Sequence, residues 1–212
     1  MTGVAAFLLD LDGTLVDSEP LHRASYVAWF DHRGWELPDL GIFTGRRAED
    51  VFVAEPGPWS GLDPSALARE VVAFVPDDPP AAVPGARELL VAARSAGVRL
   101  AIVTSAGPDW VERSLAALSL PLDAVDLVVT ARDVADGKPH PAGYCLACER
   151  LDVDAAHTVA AEDSPAGVRA ALGAGVRRVH GIRTTHAAEQ LSAAGAVEVH
   201  DDLRPLLALL PS

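Results

Sequence analysis

The run from Val4 to Leu9 is unbroken in its apolar character and stops abruptly at Asp10-Leu11-Asp12-Gly13-Thr14. A short apolar run bounded by turn residues predicts a buried strand. The pattern then changes period. Leu21, Tyr26, Trp29 and Phe30 fall on one face of a helix running from Leu21 to about Arg33, with Gly34 placed to end it. Gly45 marks the start of a second short helix, Arg46 to Val53, and Gly57 to Gly61 reads as a loop. Asp63-Pro64 is an N-cap followed by a first-turn proline, and it opens a third helix reaching about Phe74. Asp77-Asp78-Pro79-Pro80 is a linker.

From there the periods alternate. Strands are expected at Val98–Thr104, Val125–Thr130, His157–Ala161, Val176–Ile182 and Val197–Val199. Between them lie helices from Pro84-Gly85 to Ala96 and at Pro108–Leu118, Pro141–Leu151, Pro165–Ala174 and Ala187–Ala194, with Leu203–Leu210 closing the pattern. Strands alternating with helices predict an α/β fold, a Rossmann-like doubly wound parallel sheet. Residues 1–17 and 81–212 are assigned to this core. Residues 18–80 form a small all-helical insertion after the first strand, and it holds three of the four tryptophans.

Composition narrows the class. With 17 basic and 30 acidic residues the formal charge is −13, which argues against nucleic acid and anionic membranes as partners. No apolar run reaches the length of a membrane span. No basic segment followed by an apolar one precedes the first strand, so a cytoplasmic protein, expected to be a monomer, is the reading. An anionic substrate would need local positive charge. Lys138 is the only lysine in a chain whose other basic residues are all arginine, which points to a place where a compact ammonium is wanted. Cys145 and Cys148 have no second cysteine pair to complete a tetrahedral site. They are read as small packing residues on one face of the Pro141–Leu151 helix.

Chemistry in such sheets gathers just beyond the carboxyl ends of the strands, where Asp10 and Asp12 fall. Side chains one residue apart on a strand point to opposite faces, so the two carboxylates serve one site only if the chain turns, and Gly13 supplies the turn. Three further stretches end strands or follow them: Thr104-Ser105, Gly137-Lys138-Pro139-His140-Pro141, and Glu162-Asp163-Ser164-Pro165-Ala166-Gly167. The last places carboxylates opposite Asp10 in an oxygen-rich site of the kind that suits Mg²⁺.

Asp10-Leu11-Asp12-Gly13-Thr14 closing a first strand resembles the haloacid dehalogenase superfamily of phosphotransferases, and the other three stretches resemble that family's remaining motifs in the same order. The resemblance spans the chain. It implies a catalytic core with a helical cap at residues 18–80 that sets substrate choice, and a Mg²⁺-dependent phosphatase acting on a small phosphorylated molecule. It implies Asp10 as nucleophile and Asp12 as general acid/base. Thr104, the backbone N–H of Ser105 and Lys138 are implied to bind phosphate. Asp10, the carbonyl of Asp12, Asp163 and, nearby, Glu162 are implied to hold Mg²⁺.

Asp12 sets the chain apart from the dehalogenases, which do not need that residue, and Leu11-Asp12 does not fit the Asp-Lys-Thr-Gly-Thr of the ion-pumping ATPases. A receiver domain would carry its acceptor Asp on a middle strand of a shorter chain. The helical insertion is similar to those of sugar-phosphate and polyol-phosphate phosphatases and of β-phosphoglucomutases. Thr44 to Asp50 resembles the phosphatase form, with Arg46 or Arg47 able to reach substrate, while His22 holds the position of a cap histidine in the mutases. A mutase needs a second phosphate site in the cap. Here Ala48 stands where its arginine is expected, and the insertion has no lysine. Release of phosphate from a sugar or polyol monophosphate is therefore expected, with a β-phosphoglucomutase-type reaction as the alternative.

Overall fold

A computed structural model describes residues 4–44 and 46–211. Its main sheet is built from β1 (Ala6–Leu9), β4 (Arg99–Val103), β5 (Leu127–Val129), β6 (Thr158–Glu162), β7 (Arg178–Ile182) and β8 (Glu198–His200), in the order β5-β4-β1-β6-β7-β8 with every neighbour parallel. β1 lies between β4 and β6. The chain therefore builds outward on one side of β1 and then returns to build the other. That reversal opens a crevice beyond the carboxyl ends of the central strands.

Strands buried on both faces need apolar residues at every position, not at alternate ones, and all four residues of β1 are buried. One face packs Phe7, Leu9, Ile102 and Ile182 against α4 (Ala86–Ser95) and α5 (Pro108–Ala117), together with a closing 3₁₀ segment, Arg204–Leu209. The other packs Leu8, Val103, Ala160 and Val179 against α6 (Ala142–Leu151), α7 (Pro165–Gly173) and α8 (Ala188–Ala194). In α6 the buried stripe is Tyr144, Ala147, Cys148 and Leu151, the i, i+3, i+4, i+7 spacing of one helix face. Cys145 lies off that stripe and is exposed, which corrects the reading of both cysteines as packing residues.

Between β2 (Val16–Asp17) and β3 (Ala81–Ala82) the chain leaves the sheet for α1 (Glu19–Arg33), a 3₁₀ turn at Leu40–Ile42, α2 (Ala48–Ala54) and α3 (Pro64–Val72). These helices enclose a separate apolar cluster that includes Trp29, Phe30, Phe43, Phe52 and Trp59. Most of its ring pairs meet edge to face, as for Phe30 and Trp59 at 5.9 Å and 78°, a geometry favoured by the aromatic quadrupole, while Tyr26 stacks on Phe43. Gly34 ends α1 in the left-handed conformation, φ 64°. The second helix begins at Ala48, two residues later than its sequence indicates, with Arg47 extended at its N-cap; Gly45, read as its start, lies outside the described residues. β2 and β3 pair antiparallel, Val16 with Ala82 and Asp17 with Ala81, so the outgoing and returning strands of chain form one ribbon.

Trp29 is fully buried, and its indole N–H donates to Glu70, which also binds Arg33. Trp29→Ala is expected to cost about 3–5 kcal/mol, read as a lower urea midpoint. A loss well under 1 kcal/mol would mean the insertion does not depend on its aromatic cluster.

Candidate active site

Four strand ends converge on the crevice. Asp10 follows β1 and continues its pairing through a 3.1 Å bond from its N–H to the carbonyl of Ala161. Thr104 follows β4, Lys138 lies in the loop after β5, and Glu162 ends β6 with Asp163 next. After Asp10 the chain turns at once. Leu15 and Val16 both donate to the carbonyl of Leu11, and Gly13 adopts φ 76°. Any side chain at Gly13 would be strained by that φ, and its Cβ would also lie 2.2 Å from an oxygen of Asp163. The glycine thus lets the first acidic stretch lie directly against the last.

Lys138 Nζ sits 2.5 Å from Asp10 Oδ1 and 2.6 Å from Glu162 Oε1. Glu162 is fully buried and also accepts from the Tyr144 hydroxyl at 2.7 Å. Gly167 makes room for it, because a Cβ there would fall 1.9 Å from the carboxylate. Meanwhile Ser164 caps α7 by accepting from the Gly167 N–H. The spacing Glu-Asp-Ser-x-x-Gly is therefore a packing requirement as well as a chemical one. Asp163 accepts from the hydroxyl of Thr185, and Thr184 reaches from the same loop to the carbonyl of Gly13.

Three buried carboxylates, Asp10, Glu162 and Asp163, have donor atoms within 4.8 Å of one another. With the one ammonium of Lys138 the set sums to 1 − 3 = −2 when every carboxyl is ionised. Burial raises the Asp10 carboxyl from 3.8 to about 7, against the pull of Lys138 and with Glu162 adding to the rise. Asp163 is likewise held well above the usual carboxylate range, by burial first and then by Asp10 and Glu162. Burial pulls Lys138 down, but its two carboxylate neighbours outweigh that and keep it above the ordinary lysine value. Crowded oxygen donors whose full ionisation leaves an excess of two negative charges fit a hard divalent cation, which would favour their ionised forms.

Asp12 sits at the mouth. Its Oδ1 accepts from Ser18 Oγ at 2.5 Å and from the indole N–H of Trp110 at 2.7 Å, while its Oδ2 receives no hydrogen bond among the described residues. His22 Nε2 lies 3.9 Å from the same Oδ1, and its ring is 5.3 Å from that of Trp110. Sequence reasoning did not pick out Trp110, Ser18, Tyr144 or Thr185. The one available signal was that Trp110 is the single tryptophan outside the insertion.

A cavity beside Lys138 is lined by Thr104, Ser105, Gly137 and His140 of the core and by Arg47 of the insertion. The Thr104 hydroxyl accepts from the Ala106 N–H at 3.0 Å, which leaves its proton free to donate. Arg47 lies against Gly137, where a Cβ would fall 2.6 Å from Arg47 Nε, and that nitrogen is buried without a hydrogen-bond partner. Arg46 points elsewhere, pairing with Glu55 at 2.8 Å. So Asp10, Glu162, Asp163, Lys138, Thr104, Ser105 and Arg47 share one place, Asp12 and His22 share its mouth, and Arg46 stands apart.

The profile of the haloacid dehalogenase-like hydrolases matches residues 4–175. The chain is 40% identical to the validoxylamine A 7'-phosphate phosphatase of Streptomyces hygroscopicus subsp. limoneus, over 88% of this chain and 89% of that protein. It is 34% identical to hexitol phosphatase A of Escherichia coli, over 80% and 79%. The crystal structure of CbbY from Rhodobacter sphaeroides in complex with phosphate superposes with a TM-score of 0.83 at 31% identity, covering 98% of this chain and 99% of that one. Motifs, fold and relatives agree, and this chain belongs to the haloacid dehalogenase-like hydrolases.

Proposed function

We propose that the chain is a Mg²⁺-dependent phosphoric monoester hydrolase acting on a sugar or polyol phosphate through an aspartyl-phosphate at Asp10. The observation that carries this reading is the buried set of three carboxylates around one lysine, at the strand ends beside a cavity with free hydrogen-bond donors. Asp10, Asp163 and the carbonyl of Asp12 are the residues that would hold Mg²⁺, with Glu162 behind them. The ion supplies positive charge against the transferring phosphoryl oxygens.

The protein groups divide the rest. A free Asp10 oxygen attacks phosphorus as the bond to the leaving oxygen breaks. Glu162 and Tyr144 fix Lys138, which neutralises charge at the phosphoryl group, and Thr104 and the Ser105 N–H donate to its oxygens. Asp12 gives a proton to the leaving alcohol through its free Oδ2 and then takes one from the water that cleaves the acyl-phosphate. Trp110 and Ser18 hold its other oxygen in place. Residues 18–80 serve as the cap that selects substrate, with Arg47 as its contact to the bound molecule. Water is the acceptor, because Arg46 is occupied by Glu55 and the insertion has no lysine for a second phosphate.

A panel of phosphate esters assayed with Mg²⁺ should show phosphate release from sugar or polyol monophosphates. The same assay with β-glucose 1-phosphate and a trace of bisphosphate should yield phosphate and not glucose 6-phosphate. Asp10→Asn should cut release by more than about a thousandfold with the fold intact; substantial turnover in that variant would remove Asp10 as nucleophile.

Arg47→Ala should raise KM about ten- to hundredfold, the cost of a charged hydrogen bond at about 1.5–3 kcal/mol. Arg46→Ala should leave KM near its starting value. The reverse ranking would show that Arg46 and not Arg47 meets the substrate.

The raised carboxyls predict a pH dependence in the metal-free protein. Between the ordinary aspartate value of 3.8 and about 7, folded Asp10 keeps a proton that the unfolded chain has lost. Stability contributed by that proton is present below the window and is lost as pH rises through it. Thermal unfolding in chelator should therefore weaken across this window, and added Mg²⁺ should raise the midpoint more at its upper end than at its lower end. An equal Mg²⁺ effect throughout would contradict binding at these carboxyls.

A further inference from the structure

The parallel register of β7 and β8 sets His180 opposite Glu198, and Ile182 opposite His200. Residues two apart on a strand share a face, so His180, Glu198 and His200 stand together on one side of the sheet's edge pair, outside the active site. Their donor atoms close a triangle. His180 Nδ1 is 3.1 Å from His200 Nε2, and Glu198 Oε2 is 3.8 Å from the first nitrogen and 3.4 Å from the second.

A single hydrogen bond between the imidazoles accounts for the shortest side only. The carboxylate is drawn toward both nitrogens yet lies within good hydrogen-bond distance of neither. Ligands at about 2.0–2.1 Å from a tetrahedral zinc stand about 3.3 Å from one another. The three observed separations bracket that figure, so the triangle has the dimensions of one face of such a tetrahedron with a fourth position open. Two imidazoles and one carboxylate suit zinc and its late first-row neighbours, not Mg²⁺.

We propose that His180, His200 and Glu198 form a second metal site, of zinc type, that ties the three-residue edge strand β8 to β7. It closes the α8 crossover between them, and a bond that closes such a loop stabilises the fold. The nearby acids do not add to the ligand set, since Asp201 pairs with Arg183 and Asp202 with Arg204. Arg178, two residues before His180 on the same face, opposes positive charge there.

The test uses the full chain without a histidine tag, with Mg²⁺ in excess to fill the acidic site. Zn²⁺ is titrated in competition with a chromophoric chelator, Co²⁺ serves as the spectroscopic probe, and thermal unfolding is followed with and without Zn²⁺. One equivalent of Zn²⁺ should bind and raise the midpoint, and Co²⁺ should give the strong visible bands of four-coordinate cobalt. His180 is buried, so the more accessible Glu198 and His200 carry the mutational test. Glu198→Gln and His200→Ala should each weaken binding by more than the roughly 10–100-fold that loss of an outer-shell partner costs. Arg178→Gln should tighten it, a gain that a merely structural contact would not produce, and Asp163→Asn should leave it unchanged. Failure to retain Zn²⁺, equal binding by His200→Ala, or loss of binding in Asp163→Asn would each overturn the assignment.

Discussion

One buried ammonium among three buried carboxylates is the constraint on which the rest of this molecule turns. Lys138 touches Asp10 and Glu162 at once, and charges out of water are tolerated only when closely paired. Holding that contact requires β1, the loop after β5 and the end of β6 to meet at one point. The flanking features serve the same end: a glycine where Asp163 crosses the first turn, a glycine under the Glu162 carboxylate, and a tyrosine hydroxyl on that carboxylate's oxygen. With every carboxyl ionised the arrangement leaves two negative charges unbalanced, and burial answers part of that surplus by raising Asp10 and Asp163. A divalent cation among these oxygens would answer the rest, as the proposed function requires.

The sheet and the four acidic, hydroxyl and lysine stretches were legible because each is local: an apolar run, then a turn carrying polar residues. Their convergence followed from strand order. What stayed hidden depends on pairings that sequence spacing does not encode. The β2–β3 ribbon joins Val16 to Ala82 through strands of only two residues, too short for any period to show. Trp110 reaches Asp12 across 98 positions, and its helix pattern looks no different from that of a packing residue. Arg46 and Arg47 carry the same signal in sequence. The start of α2 two residues later than expected separates them, because it leaves Arg47 extended toward the core while Arg46 turns back to Glu55.

The junction between insertion and core is also where the second aspartate is held. Arg113 packs over the Trp110 ring at 5.1 Å and donates to the carbonyls of Pro76 and Asp78 in the returning linker. Trp110 in turn donates to Asp12, and Ser18 and His22, at the start of the insertion, meet Asp12 from the other side. Asp12 is thus gripped by groups from both parts of the chain. Because Ser18 and His22 belong to the insertion, any shift of it on its ribbon would alter the partners of Asp12.

The central position of β1 has a consequence for the order in which the chain is made. Leu9 pairs with Ile102 and Ala161, partners 93 and 152 residues further along. The helices of the insertion find their contacts within their own segment, and such local contacts form early. A nascent chain therefore carries a completed helical unit while the fully apolar strand beside it waits for β4, made just before the midpoint of the 212-residue chain, and for β6, made only after residue 157. An unpaired apolar strand is a site for pairing with the wrong chain. In this architecture the segment that leads into Asp10 is also one that needs shelter during synthesis.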